Sequence, residues 1–329
     1  MSRMHSYTAP CPTPSTCLNR QASKIQLIRS TSVSSRALYD LKQSQREWYA
    51  TLSNHLLNYD FQVSASDHSL LTYNSGNIHL YMLVYVDEIL LTGNSPSEIN
   101  KLLTNLHATF QMRNLDSLSQ FLGIHTAKTP SGIILHQQHY AKTIIQRAGM
   151  EQSKPVSTPI SCRTIVTATS NEQYDNPHFY RQIIGSLQYL TITQPDIQFT
   201  VQQLCQHMQA PLNIHYEAMK HLLRYIHGSS STGFPLDRTN LTLKGYVDVD
   251  WASNDRKSIS GYCNFLGNLL ISWQVKKQNT IARSSTEAEY RALATEAFEI
   301  LWLHQLLEDF HTPQTNLPKS SATTLPQSH

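Results

Sequence analysis

Charge is the scarcest ingredient of this 329-residue, 37.4 kDa chain: Asp, Glu, Lys and Arg make up 15% of it, against roughly a quarter in ordinary soluble domains. Ser, Thr, Gln and His fill the polar quota instead, which excludes a charge-rich disordered protein or a coiled coil. The 26 Lys and Arg exceed the 23 Asp and Glu by only three. The whole molecule therefore pulls weakly on polyanions, and any nucleic-acid reading must rest on local sites. Five cysteines (Cys11, Cys17, Cys162, Cys205, Cys263) are too few and too scattered for a disulfide scaffold or a structural zinc site, which implies a reducing compartment. Long apolar runs are missing too. The longest, Leu80 to Leu91, is interrupted by Asp87 and Glu88 and falls short of the roughly 18 residues that a membrane span needs. Met1 to Tyr39 has no acidic residue but carries Arg3, Arg20, Lys24, Arg29 and Arg36 among many Ser and Thr. That is the composition of an organelle transit peptide, yet no amphipathic, Arg-spaced helix accompanies it. A cut or scrambled end of a longer chain is the preferred reading, and an organelle address the lesser one.

What is present reads as alternating helices and strands. Trp48, Leu52 and Leu56 fall at helical spacing, so Arg46 to Asn58 is expected to be a helix. The run YMLVYV, the acidic pair Asp87 and Glu88, and ILLTG read as two buried strands of a hairpin whose turn lacks the usual Gly or Asn. Ser95, Pro96 and Glu98 supply an N-cap, a first-turn proline and a capping-box acid to a helix carrying Ile99, Leu102, Leu103, Leu106 and Phe110. A second hairpin flanks Thr129 to Gly132, and a helix from Tyr140 to Ala148 stops at Gly149. From Phe179 to His227 the pattern is all helical, punctuated by Pro195, Pro211 and Gly228. Ser229 to Gly233 reads as a linker, followed by a βββα order whose last helix runs from about Thr286 to Phe310 behind a Ser284/Glu287 capping box. The sheet face made by Val247, Val249, Phe265, Leu270, Ile271 and Trp273 is expected to pack against Tyr290, Leu293, Leu301 and Leu306, leaving its other side wet. Residues 312–329 are rich in Pro, Ser and Thr and read as disordered.

Asp87 and Glu88 lie in the most apolar segment of the chain, where an uncompensated carboxylate costs several kcal/mol or shifts its pKa. Adjacent carboxylates on a hairpin can hold Mg²⁺ through oxygen ligands. The alternative is a solvated turn. Asp248 on a strand and Glu289 in a helical first turn could likewise share one Mg²⁺, or be a surface acid and a partner of the helix dipole. Ser284 and Ser285 have no nearby His, and N-capping accounts for them.

Several ordered strings carry a resemblance. ALYDLKQSQREWY, LYMLVYVDEILLTG, FQMRNLDSLSQFLGI and ILHQQHYAKTIIQRAGM resemble the reverse transcriptase of copia-type retrotransposon Pol polyproteins, plant ones above all. YRQIIGSLQYLTITQPDIQFTVQQLCQHMQAP is similar to that family's helical segment, and GYVDVDWASNDRKSISGYCNFLGNLLISWQVKKQNTIARSSTEAEYRALATEA to the start of its ribonuclease H, so the resemblance covers about Ser35 to Phe310. It implies Mg²⁺- or Mn²⁺-dependent transfer of deoxynucleotides (dNTPs) onto a primer–template, and hydrolysis of RNA in an RNA/DNA hybrid. Catalytic and metal-ligand positions carry over to Asp87, Glu88, Asp248 and Glu289, with Tyr85 beside the first pair. Nucleic-acid contacts are implied for Lys42, Arg46, Tyr85, Trp273, Lys276, Lys277 and Arg283.

The sequence also departs from the family. Glu88 stands where the family has Asp, and Asp40 and Asp116 where it usually has Gly. No acidic residue between Met1 and Ser35 can serve as the upstream polymerase Asp, and the family's later ribonuclease H acids fall in segments past Phe310, where this chain offers only a polar tail. The expected architecture is α+β: a disordered or scrambled N-terminus over residues 1–34; a partial reverse-transcriptase palm and fingers over 35–160; a helical thumb and connection over 161–232; a partial ribonuclease H-like βββα unit over 240–311; and a disordered tail over 312–329. Its sheet edge is expected to be open to self-association. The competing reading is a non-catalytic transposon remnant with weak nucleic-acid binding.

Overall fold

The computed structural model describes residues 24–30, 44–110, 112–114, 118–161, 171–252, 256–314 and 319–322. The fold is a mixed α+β arrangement of three sheets and intervening helices.

The first sheet has six strands in the order β2-β3-β4-β5-β1-β6, with β1 at Lys24–Ser30, β2 at Gln62–Val63, β3 at Leu70–Ser75, β4 at Ile78–Tyr85, β5 at Glu88–Gly93 and β6 at Met112–Asn114. Along β4 and β5 the side chains alternate between core and surface, which puts Leu80, Met82, Val84, Ile89 and Leu91 on one buried face. Helices α1 (Ser44–Leu57) and α2 (Pro96–Phe110) supply Leu52, Leu56, Ile99, Leu102, Leu103, Leu106 and Phe110 to that core, the apolar stripes that their spacing predicts. One expectation fails here. Residues 24–30, assigned to a disordered or scrambled end, form a strand between β5 and β6, antiparallel to both. Its alternating apolar residues are few, and its pairing partners lie more than 50 residues away.

A second sheet runs β10-β9-β8-β7, with β7 at Gln120–Phe121, β8 at Ile124–Lys128, β9 at Gly132–His136 and β10 at Phe234–Asp237. β10 follows the Ser-rich stretch read as a linker and returns to pair antiparallel with β9. Between them lie α3 (Gln138–Arg147), α4 (Pro177–Leu190), a short 3-10 turn (Pro195–Ile197), α5 (Gln198–Cys205) and α6 (Asn213–Ser229). Their shared core includes Ile144, Tyr180, Ile183, Leu187, Val201, Met219 and Leu222. Tyr180 is fully buried, and its hydroxyl donates to Leu204 O at 2.9 Å. Burial pushes that phenol's pKa far up.

The C-terminal sheet runs β13-β12-β11-β14, with β11 at Leu243–Asp250, β12 at Ile259–Leu266, β13 at Leu269–Lys277 and β14 at Lys319–Ala322. Helix α7 (Ser285–Asp309) lies over β11 and β12. Two expectations need correction. The tail is not wholly structureless, because β14 adds a parallel strand beside β11, leaving β13 and β14 at the sheet's edges. Nor does the sheet's far side stand alone. α5 packs against β13, Phe234 meets Trp273 with ring centroids 5.4 Å apart, and Lys277 Nζ donates to Gln206 Oε1 at 2.8 Å.

The face of α7 also differs from the expectation. Ala288, Ala292, Glu296, Ile300, Leu303 and Leu307 meet the sheet, whereas Tyr290 and Leu301 are exposed. Small residues win because the helix passes close to Gly245. A Cβ there would lie 1.8 Å from Glu296 Oε1 and 2.6 Å from Ile300 Cδ1. The C-terminal end of α7 docks on the first unit through Trp302 Nε1 to Ser66 O at 2.9 Å, Ser64 Oγ to Asp309 Oδ2 at 2.6 Å, and Tyr81 Oη to Phe310 O at 2.8 Å.

Candidate functional site

Tyr85 pairs with Glu88, so the β4–β5 turn is the two-residue loop Val86–Asp87, and Glu88 is already the first residue of β5. Val86 has φ +51°. A positive φ at the first central position belongs to type II′ turns, which normally place Gly there, so a β-branched residue is strained at this point. Trp48 of α1 holds the turn by donating from its indole nitrogen to Val86 O at 2.8 Å. Tyr85 is exposed, and Asp87 and Glu88 are half-buried.

Glu88 reaches away from Asp87's loop. Its Oε2 accepts from Leu122 N at 2.7 Å. Leu122 and Gly123, with φ +50° and +73°, form the two-residue turn between β7 and β8, and the Leu122 carbonyl accepts from the Tyr189 hydroxyl of α4. Gly123 is required on two counts: its φ is positive, and a Cβ would approach Tyr189 Oη to 2.9 Å. Burial, reinforced by Tyr140, raises the Tyr189 pKa, and Glu88 and Tyr85 add to the rise. Glu88, Leu122 and Tyr189 thus connect the β4–β5 hairpin to the helical unit. On the other side of β5, the residue opposite Glu88 in the β1 register is Arg29, a cation and not a carboxylate.

In the C-terminal unit, the pleat of β11 turns Leu243, Gly245 and Val247 toward α7 and Tyr246, Asp248 and Asp250 away from it. Asp248 borders a groove of about 250 Å³ with Tyr246, Trp273, Pro195 and Gln198 on the face turned toward the helical unit. Glu289 is half-buried on α7, across the sheet. The structure therefore does not bring Asp248 and Glu289 to one face. Ser284 Oγ caps α7 by accepting from Glu287 N at 3.1 Å, while Glu287 Oε2 accepts from Arg283 N at 2.7 Å.

Sequence reading missed Glu296, which is fully buried beside Gly245 and the equally buried Asn264. The available signal was a carboxylate on the Ala288-Ala292-Ile300 stripe of a helix. Three residues on, Glu299 Oε1 accepts from Ser272 Oγ at 2.5 Å. Among the basic candidates, Lys42 lies outside the described residues and Arg46 is exposed on α1. Lys276 and Lys277, adjacent on β13, point to opposite faces. Arg283 is exposed just before α7. Among the described residues, no group of three His, Cys, Asp or Glu could hold a metal ion, and no helix is long and apolar enough to cross a membrane.

Residues 27–162 match the family model described as reverse transcriptase (RNA-dependent DNA polymerase). The chain is 42% identical over 286 residues to the retrovirus-related Pol polyprotein from transposon RE1 of Arabidopsis thaliana, covering 86% of this chain and 20% of that one. A second relative, an uncharacterized mitochondrial protein of Arabidopsis thaliana, is 42% identical over 226 residues, which is 68% of this chain and 94% of the relative. The Pol polyprotein from transposon TNT 1-94 of Nicotiana tabacum is 32% identical over 83% of this chain and 22% of its own length. The chain thus spans about a fifth of the length of the Pol polyproteins it matches. Among solved structures, a foamy viral protease-reverse transcriptase in complex with double-stranded DNA aligns with 95% of this chain and 52% of its own, at a TM-score of 0.47 and 13% identity.

Proposed function

This chain belongs to the reverse-transcriptase family of retrovirus-related, copia-type Pol polyproteins, and from that premise we propose that it binds RNA/DNA hybrid and primer–template while extending primers poorly. The observation that carries this reading is the use to which Glu88 is put: its carboxylate holds the Leu122 turn. Two-metal nucleotidyl transfer needs carboxylates that bridge both ions, and Mg²⁺ or Mn²⁺ is the kind of ion such oxygens take. The residues here do not fit that requirement. Asp87 is accompanied by a glutamate whose carboxylate is engaged by Leu122 N. In the C-terminal unit, Asp248 and Glu289 stand on opposite sides of a sheet, so hydrolysis of RNA in a hybrid is not expected either.

Binding asks less of the geometry. Lys42, Arg46, Lys276, Lys277 and Arg283 are the cations offered to phosphates, with Tyr85 and Trp273 as stacking surfaces. One relative is spanned almost entirely by this chain, which supports a unit able to exist outside a polyprotein. The test is primer extension with purified chain, Mg²⁺ or Mn²⁺, a primed RNA template and dNTPs, beside a gel-shift titration of RNA/DNA hybrid. Extension should not exceed that of Asp87→Ala, and hybrid binding should weaken steeply as salt rises. Efficient extension abolished by Asp87→Ala would overturn the reading.

A further inference from the structure

Between helix α7 and the Gln274–Lys277 end of the edge strand β13 lies a trough of about 210 Å³. Tyr262 and Ala292 give it an apolar floor, and Lys276 and Arg291 face it from opposite walls. Arg291 is fixed in place. One terminal nitrogen donates to Thr280 O at 3.1 Å and Thr280 Oγ1 at 2.6 Å, and the other to Glu287 Oε1 at 2.6 Å. Three of its five N–H donors are thereby used and two remain. The end of the trough is equally rigid, since Gln278 Nε2 donates to Ser260 Oγ at 2.9 Å and to Ala288 O at 3.0 Å, tying β12 to α7. None of the ion pairs among the described residues involves Lys276. Lys276, Arg291 and Glu287 together leave one net positive charge over an apolar floor.

We propose that this trough is a subsite for one nucleotide unit of a nucleic-acid strand, with the phosphate between Lys276 and Arg291 and the sugar against Tyr262 and Ala292. The inference deepens the nucleic-acid reading above and rests on it for the strand, but not for the nucleotide. It also divides the neighbouring lysines: both border the trough, but Lys277 Nζ is engaged by Gln206, and the phosphate is assigned to Lys276.

Two measurements on the full-length chain test it. In amide NMR spectra, adenosine 5′-monophosphate should shift Gln278 and Thr280, and inorganic phosphate alone should shift them less. In fluorescence anisotropy with a labelled RNA/DNA hybrid, Lys276→Gln should weaken binding up to about fivefold and reduce the slope of log affinity against log salt by roughly 0.9. Lys277→Gln should leave both closer to wild type, and Glu287→Gln, which removes the carboxylate paired with Arg291, should strengthen binding. Thermal melts confirm that each variant is folded. Nucleotide that leaves the trough amides unmoved, or a Lys276→Gln variant with unchanged affinity and salt slope, overturns the subsite. Shifts by the nucleotide in a chain that fails to bind hybrid would instead leave the subsite standing and remove the broader nucleic-acid reading.

Discussion

The indole nitrogen of Trp48 donates a 2.8 Å hydrogen bond to the carbonyl of Val86, the residue at φ +51° in the turn that presents Asp87. A helix side chain thus holds a backbone conformation that the turn's own sequence disfavours. A β-branched residue in the left-handed region costs on the order of 1–3 kcal/mol, and a part-buried hydrogen bond contributes about 1 kcal/mol. Val86→Gly should therefore raise the urea midpoint, and Trp48→Phe, which keeps a ring against Phe110 but removes the donor, should lower stability by about 1 kcal/mol. In the double variant the Trp48 substitution should cost less. Equal costs in both backgrounds would mean that the indole does not restrain the turn.

Glu88 invites a test that separates a hairpin staple from a metal ligand. Glutamine keeps the length and an accepting oxygen, whereas aspartate is shorter by one C–C bond of about 1.5 Å and draws the carboxylate away from Leu122 N. Amide exchange at Leu122 should accelerate more in Glu88→Asp than in Glu88→Gln. A Glu88→Asp variant whose Leu122 amide stays protected, and which gains Mg²⁺-dependent stability, would return Glu88 to the role of ligand.

Acid should weaken the helical unit through His215. Its ring stacks on His207 with centroids 3.6 Å apart, and its Nδ1 accepts from Leu212 N at 3.0 Å. Burial, helped by the neighbouring His207, pushes its pKa down to about 4. The unfolded chain takes up a proton near pH 6.5 while the folded chain resists until about pH 4, so stability present above pH 6.5 is lost as the pH falls through that window. His215→Gln, which keeps an acceptor at the same helical position, should flatten the stability–pH slope between those values. An unchanged slope in chemical denaturation would place the proton uptake elsewhere.

Elements with strong local patterns were legible in the sequence. α2 was readable because Ser95, Pro96 and five apolar residues all point to one helix, and the β4–β5 and β8–β9 hairpins because apolar runs flank turns. β1 and β14 were not. KIQLIRS and KSSA carry no local pattern that distinguishes them, and both become strands through partners far along the chain, β5 and β11. The same limit applies to the site. Asp87 and Glu88 could be picked out as acids in an apolar run, but the Leu122 amide that engages Glu88 lies 34 residues on and leaves no mark on the local pattern. The face of α7 was misjudged because hydrophobicity favoured Tyr290 and Leu301, whereas close approach to the sheet selected alanines.

That close approach supports a prediction about Gly245, whose backbone lies under Glu296. Its ideal Cβ would meet Glu296 Oε1 at 1.8 Å, Ile300 Cδ1 at 2.6 Å and Asn264 Oδ1 at 2.8 Å, so even one methyl group must displace a buried carboxylate or the helix that carries it. Overpacking of this kind costs roughly 1–3 kcal/mol, and moving a buried polar group off its neighbours adds to it. Gly245→Ala should be among the more destabilising single substitutions in the C-terminal unit. Glu296→Gln is nearly isosteric and should not relieve the clash. Glu296→Ala opens the space, so Gly245→Ala should cost less in that background, with a remainder from Ile300 and Asn264. Denaturation of the two single variants and the double variant closes the cycle, and additive costs would show that Gly245 and Glu296 do not meet.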